Sequence, residues 1–331
     1  MRATSGSLIW RPDLGATVLE TLRDPSEGYI GLSVMPVHKV MARGGTYPVI
    51  PAEVLFSDED VERSPRGRYH RSEWEYERGK YAVSEKGHEE PMDDVEWDEL
   101  ENQRPGLAEE IATRRTMAII LRAQEKRIAA RVMNPSVFTP HNVAKKWSNP
   151  AEGTPVQDIR DGKAAFRQQC GMEPDALVLS WQVAEWLKTN AEIREQLKYT
   201  FPGIDLNRLT ADQLAQILNV KNVLVAGGMR NASPKGKRLV FEDIWTDTHA
   251  ALVKISGSYD ITEPCVGRTF VYAKDASTEP IVEQYREEAL RSEIIRVRHD
   301  VDEAYLRSYY DDGRIRTDVS GKCCYLMGGI K

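Results

Sequence analysis

"RSEWEYERGKY", residues 71–81, sets the question on which the fold turns. Read with a period of two, it places Trp74 and Tyr76 on one side of an extended segment and Glu73, Glu75 and Glu77 on the other, the pattern of a half-buried strand. Its flanks, "SDEDVERSPRGRYHR" before and "SEKGHEEPMDDVEWDELENQ" after, are poor in core-forming residues. Nothing nearby can cover two large aromatic rings. Apolar positions fall on even numbers up to Tyr76 and on odd ones at Tyr81 and Val83, so a break in the strand is expected at Gly79.

The chain has 331 residues, 41% of them hydrophobic, which is enough to bury a sizeable core and to form two domains or more. No apolar run approaches the roughly 20 residues that span a bilayer, and "MRATSGSLIWRPDLG" lacks the layout of a signal peptide. The expectation is a chain that stays where it is made, with no membrane partner. Cys170, Cys265, Cys323 and Cys324 contain no CxxC pair, and reduced thiols are expected. The net charge of −6 hides an asymmetry: residues 51–100 carry 16 Asp and Glu against 7 Lys and Arg, while the remainder is basic by 3.

The longest helical pattern is "ENQRPGLAEEIATRRTMAIILRAQEKRIAARVMNP", residues 101–135. Leu107, Ile111, Ala118, Leu121, Ile128 and Val132 recur at helical spacing, Glu109 and Glu110 lie at the start and Arg131 at the end, as the helix dipole favours. About 28 residues at 1.5 Å each predict a rod of roughly 40 Å. The polar face carries Arg114, Arg115, Arg122, Lys126 and Arg127, opposite in sign to the segment before it. Two readings stand: ordinary solvation, or a basic rail for an acidic arm.

Beyond the helix, residues 138–155 read as a loop, and "VQDIRDGKAAFRQQCG" as a short helix with Ile159, Ala165 and Phe166 inward. Between residues 175 and 260, "DALVLS", "NVLVAGG" and "HAALVKIS" are apolar strands; "WQVAEWLKTNAEIREQLKY" and "LTADQLAQILNV", with Thr210 as N-cap, are helical. "AGGMRNASPKGK" lacks phosphate-loop spacing and reads as a loop. "GRTFVYA", "PIVEQYREEAL" and "SEIIRVRHDVDEAYLRSYY" are strand-like, with "DDGR" at 311–314 as a turn. The six histidines show no HxH or HExxH and are expected on surfaces or loops, so no metal site is expected. No GxSxG motif and no basic patch of a sequence-reading DNA protein is present.

The order of these parts resembles the major capsid protein of tailed bacteriophages, whose fold encapsulin shells share. The resemblance covers nearly the whole chain; its most specific parts are "VMPVHKVMARGGTYPVI" (34–50), "EPDALVLSWQVAEWLKTNAEIREQL" (173–197) and "IIRVRHDVDEAYLRSYYDDGRI" (294–315). It implies an α+β chain with an N-terminal arm (1–45) and an extended β-hairpin loop (46–100). A peripheral domain (101–174 and 262–331) holds the long spine helix, and an α/β axial domain (175–261) is inserted into it.

In such shells the extended loop lies on a neighbouring subunit, along its long helix and peripheral domain, and axial domains meet around five-fold and six-fold axes. The resemblance therefore implies that Trp74 and Tyr76 find their core on another copy and that Arg114, Arg122 and Lys126 receive a neighbour's acidic segment. It implies an icosahedral shell of pentamers and hexamers around double-stranded DNA, contacted without sequence specificity, in a virion assembled in the host bacterial cytoplasm. A separate scaffold or a removed precursor segment, a portal and, as an option, a decoration protein would be partners; no catalysis and no cofactor are implied. Some relatives weld subunits through a Lys–Asn isopeptide bond; Lys80 and Lys86 are the lysines of the extended segment and are expected to be solvated and uncrosslinked. The alternatives are an encapsulin-type compartment enclosing a cargo enzyme and a soluble α/β enzyme with an unrecognised site in 175–261.

Overall fold

The computed structural model describes residues 8–15, 17–18, 28–49, 56–59, 61–63, 65–71, 77–200, 209–273, 280–306, 310–311, 314–315 and 323–331. Along the chain run β1 (Ile9–Trp10), α1 (Gly31–Val34), β2 (Val37–Val40), β3 (Gly44–Val49), β4 (Glu77–Ala82), β5 (Ser84–Asp93), α2 (Asp94–Gln103), α3 (Leu107–Val132), β6 (His141–Asn142) and α4 (Pro155–Cys170). Then follow β7 (Ala176–Ser180), α5 (Trp181–Thr189), α6 (Ala191–Thr200), α7 (Ala211–Leu218), β8 (Asn222–Ala226), β9 (Met229–Asn231), β10 (Phe241–Asp243) and β11 (His249–Val253). The order closes with β12 (Arg268–Tyr272), β13 (Ile281–Glu287), β14 (Ser292–Ala304), β15 (Tyr310–Asp311), β16 (Arg314–Ile315) and β17 (Cys324–Gly328).

Strand β14, 13 residues long, organises the first sheet. On one edge it pairs antiparallel with β5 from Ser292 to Val301; on the other it pairs first with β13 and then with β12. Strand β1 extends the sheet beyond β13, and β2 runs parallel to β12. Residues 84–100, which the resemblance assigns to the extended loop, thus lie along β14 and against α3. Asp93 caps α2 by accepting from the Val95 amide at 2.9 Å, and Trp97 is buried beneath that helix.

Helix α3 packs across β5 and β14, and its buried positions differ from the face read in the sequence. The buried row is Ala108, Glu109, Ala112, Thr113, Thr116, Met117, Ile120, Leu121, Gln124, Glu125, Ile128, Ala129 and Val132. Leu107, Ile111 and Ala118 are only half-buried. Leu121, Ile128 and Val132 are buried as read, but five inward positions are polar, so a pattern read from apolar residues alone strays from the buried row in the first half of the helix. The first carboxylate, Glu109, is held by Arg11 from the arm.

The second sheet has the order β6-β17-β11-β7-β8. Its central strands β7, β11 and β17 are buried on both faces, and their alternate residues divide between two cores. Leu177, Leu179, Leu252 and Met327 join Ile159, Phe166, Leu187, Ile193 and Leu214 under α4–α7. Val178, Val253, Cys324 and Leu326 face the other way and meet Ile128, Val132 and Met133 at the end of α3. Residues 323–331, expected with the peripheral domain, complete this axial sheet, because their apolar residues alternate between its two buried faces. All four cysteines are buried free thiols.

Local readings differ from the structure in four further places. Ala165 is half-buried, and α4 turns Val156, Ile159, Gly162, Phe166 and Cys170 inward instead. The helical run after Ser180 divides at the buried Asn190, whose side chain caps α6 at Ile193 and donates to the Gly153 carbonyl at 3.0 Å. The loop read at 226–237 contains β9, which pairs with β10 in a two-stranded ribbon. His299, expected on a surface, is buried on β14.

Truncating Leu326, fully buried on β17, to alanine leaves a cavity between the axial sheet and α3. The free subunit should lose about 2–5 kcal/mol of unfolding free energy in urea, against under about 0.5 kcal/mol for an exposed control such as Tyr259→Ala.

Candidate intersubunit surfaces

The base of the extended loop is anchored on its own chain. Strands β3 and β4 pair antiparallel without interruption from Gly44↔Ala82 to Val49↔Glu77. The break expected at Gly79 is therefore absent. Gly79 sits opposite Tyr47, and a Cβ there would overlap the Tyr47 ring, so the glycine makes room for an aromatic packed across the ribbon. Tyr47 stacks on Phe270 with ring centroids 5.8 Å apart, and Tyr81 stacks on the same ring at 4.8 Å. Trp74 and Tyr76 lie outside the described residues.

Every described residue between 56 and 71 is exposed, including Phe56, Val61 and Tyr69. Val61 is 88% exposed and Tyr69 71%, so the described residues of this excursion, acidic over 58–62 and basic after it, bury no side chain fully on their own chain; Phe56 lies against Gly171 and Arg63 stacks over Tyr69 at 4.9 Å. The acids that follow it are occupied at home. Glu85 and Asp300 pair with Arg43, Glu89 with Arg296 at 2.6 Å, Glu90 with Arg115 at 3.1 Å and Asp94 with Arg286 at 2.8 Å.

The basic row of α3 is likewise divided. Arg114 pairs with Glu110 at 3.0 Å, Arg115 with Glu90, and Arg127 makes a bidentate pair with Glu303 at 2.7 Å. Arg122 is half-buried. Lys126 is exposed at the mouth of a cavity of about 620 Å³ lined also by Ala129, Met133, Arg230, Trp245 and Lys331. Arg114, Arg122 and Lys126 share a helix, and the structure brings only Lys126 beside the β9–β10 ribbon.

Two buried polar clusters behind these surfaces were missed in the sequence; the available signal was a charge at an inward position of an otherwise apolar row. In the first, Glu125 accepts from the amides of Ile30 and Gly31 at 2.9 and 2.8 Å and from Trp245 Nε1 at 2.6 Å. Burial raises its pKa, opposed by those three donors. In the second, Lys86 donates to the Val301 carbonyl at 2.8 Å and lies 3.7 Å from Glu303. Lys86 is thus half-buried in its own chain's ion cluster instead of solvated, and burial lowers its pKa. Burial pushes the Glu303 carboxyl up, but the Arg127 bonds and the nearby Lys86 outweigh it and hold the group below its usual range. His299 stands among these charges with Nε2 buried and without a partner among the described residues; burial first, then Arg127, pushes it down to about 4.

No described group of three or more His, Cys, Asp or Glu could hold a metal ion, and no described helix is long and apolar enough to cross a membrane. In the unfolded chain His299 protonates near the ordinary value of about 6.5, whereas the folded chain keeps it neutral to about 4. Its contribution is therefore fully present above about pH 6.5 and is lost as pH falls toward 4. Urea unfolding of the free subunit at pH 7 and pH 4.5 should show His299→Phe losing less stability on acidification than the wild type, by on the order of 2 kcal/mol.

No family model and no curated protein sequence matches the chain. Solved structures match along its whole length. A phage-related protein of Bordetella bronchiseptica RB50 is similar with a TM-score of 0.70 and 21% identity, covering 98% of each chain. A virus-like particle protein of Pyrococcus furiosus matches with a TM-score of 0.54 and 9% identity over 95% of this chain and 97% of that one. The capsid structure of cyanophage P-SCSP1u matches with a TM-score of 0.52 and 8% identity over 89% and 86%. The mixed α+β architecture, with its spine helix, two sheets and extended ribbon, is the fold of phage major capsid proteins.

Proposed function

We propose that the chain is a structural shell subunit, many copies of which self-assemble into a closed icosahedral particle that encloses double-stranded DNA in a virion. The capsid-type fold supports this reading, and the observation that carries it is the excursion 56–71, where Val61 is exposed and Phe56 and Tyr69 keep more than half of their surface open, with Gly171 against the one ring and Arg63 over the other. A neighbour would supply the remaining cover. In a closed shell each subunit touches several others at once, so individually weak contacts add.

On this reading residues 1–45 are the arm, 46–100 the extended loop with its root folded onto the peripheral sheet, 101–174 and 262–331 the peripheral domain apart from 323–331, which complete the axial sheet, and 175–261 the axial domain. Pentamers and hexamers form in the host bacterial cytoplasm around a separate scaffold and a portal, with a decoration protein as an optional addition. DNA is held without sequence specificity, and the role requires no catalysis or cofactor.

Purified protein should elute as megadalton particles, and extraction should yield double-stranded DNA. A protein cargo in place of DNA would move the chain to the encapsulin type, and a lasting monomer would leave the enzyme reading. Arg122→Glu with Lys126→Glu should reduce particle yield while the free subunit keeps its circular dichroism. Exposed pairs contribute only about 0–1 kcal/mol each and the reversal adds repulsion that salt also screens, so the defect relative to the wild type should be largest at low salt and shrink as salt rises. Trp74→Ala with Tyr76→Ala should leave the free subunit's melting unchanged and block closure; loss of its fold would place both rings in an internal core.

A further inference from the structure

Residues 229–243 project an exposed, basic and apolar surface that the subunit leaves uncovered. Strands β9 and β10 pair only with each other. The ribbon is zipped by the Ala232 amide donating to the Val240 carbonyl at 2.9 Å, by the Lys237 amide donating to Pro234 at 3.1 Å, and by Arg230 paired with Glu242 at 2.9 Å. Gly236, at φ +82°, makes the turn possible.

The tip holds Lys235, Lys237 and Arg238, all exposed and without an ionic partner among the described residues; no acid occurs between 231 and 241. Directly beside them Leu239, Val240 and Phe241 are 53%, 50% and 62% exposed, and Met229 across the ribbon is 48% exposed. A two-stranded ribbon is marginal alone, and four large apolar side chains clustered on it mark a contact surface.

We propose that this ribbon docks on the acidic excursion of a second copy of the chain, at residues 56–62. The inference rests on the shell reading. The excursion matches the ribbon in both respects: "FSDEDVE" contains four acids and no cation, and it exposes Phe56 and Val61. A second ribbon is a poorer occupant, because three cations would meet three cations. A DNA phosphate backbone would take Lys235, Lys237 and Arg238 but leave Leu239, Val240 and Phe241 in water. A partner of opposite charge that also brings apolar side chains satisfies the whole surface.

The test is a charge swap in the full chain. Lys235→Glu, Lys237→Glu and Arg238→Glu together lie on an exposed turn, so the free subunit should melt as the wild type does while particle yield falls about tenfold or more. Asp58→Lys, Glu59→Lys and Glu62→Lys together should give the same loss. Combining the six substitutions should restore yield to within about threefold of wild type, since the charges again oppose across the contact. A milder triple variant with glutamine at 235, 237 and 238 should fall between wild type and reversal. Normal yield from the first triple variant overturns the proposal, as does normal yield with reduced DNA content, which would assign the tip to nucleic acid. Failure of the combined variant to recover overturns the choice of residues 56–62. A wild type that never forms particles overturns the shell reading itself, an outcome distinct from all of these.

Discussion

The carboxylate of Glu125 is the point through which the parts of the subunit are tied. A buried charge without compensation is costly, and here, among the described residues, it is three N–H donors from two other parts of the chain that solvate the carboxylate. Two donors are the amides of Ile30 and Gly31, where the arm turns into α1, and the third is the indole of Trp245, which leads into β11. Gly31 is required because a Cβ there would collide with the carboxylate. Since α3 runs from the peripheral sheet to the axial one, a clamp at Glu125 fixes arm, helix and axial sheet at once.

A parallel arrangement sits two residues along α3 from Glu125 and joins different elements. Arg127 from α3, Lys86 from β5 and Glu303 from β14 form a mixed cluster that closes the space between helix and sheet. Interactions of this kind contribute little net stability compared with an apolar equivalent, but removing one member strands the others. They therefore fix the register of α3 on the sheet more than they add to its strength.

The local signals in the sequence were strong where a single element decides its own structure. The long helix between its proline and the following Met133, the apolar strands 176–180 and 249–253 and the Thr210 cap all follow from neighbours within a few residues. What escaped depends on partners distant in sequence. The inward row of α3 is hidden because Glu109, Thr113, Thr116, Gln124 and Glu125 point into the core, which apolar periodicity cannot register. Gly79 mimics a strand break because its meaning lies in Tyr47, across the ribbon. The candidate surfaces were legible in part: the acidic excursion and Lys126 are visible as composition, whereas the use of Glu89, Glu90 and Asp94 by arginines of the same chain required the sheet register.

The placement of β17 bears on synthesis. It lies between β6 and β11, so the axial sheet joins residues near 141, 250 and 326 and has no complete interior until residue 328 has left the ribosome. Until then the core at the far end of α3 lacks Cys324 and Leu326, and pairings of such long sequence separation are slow to form. A chain without β17 thus leaves β6 and β11 unjoined and the sheet open between them.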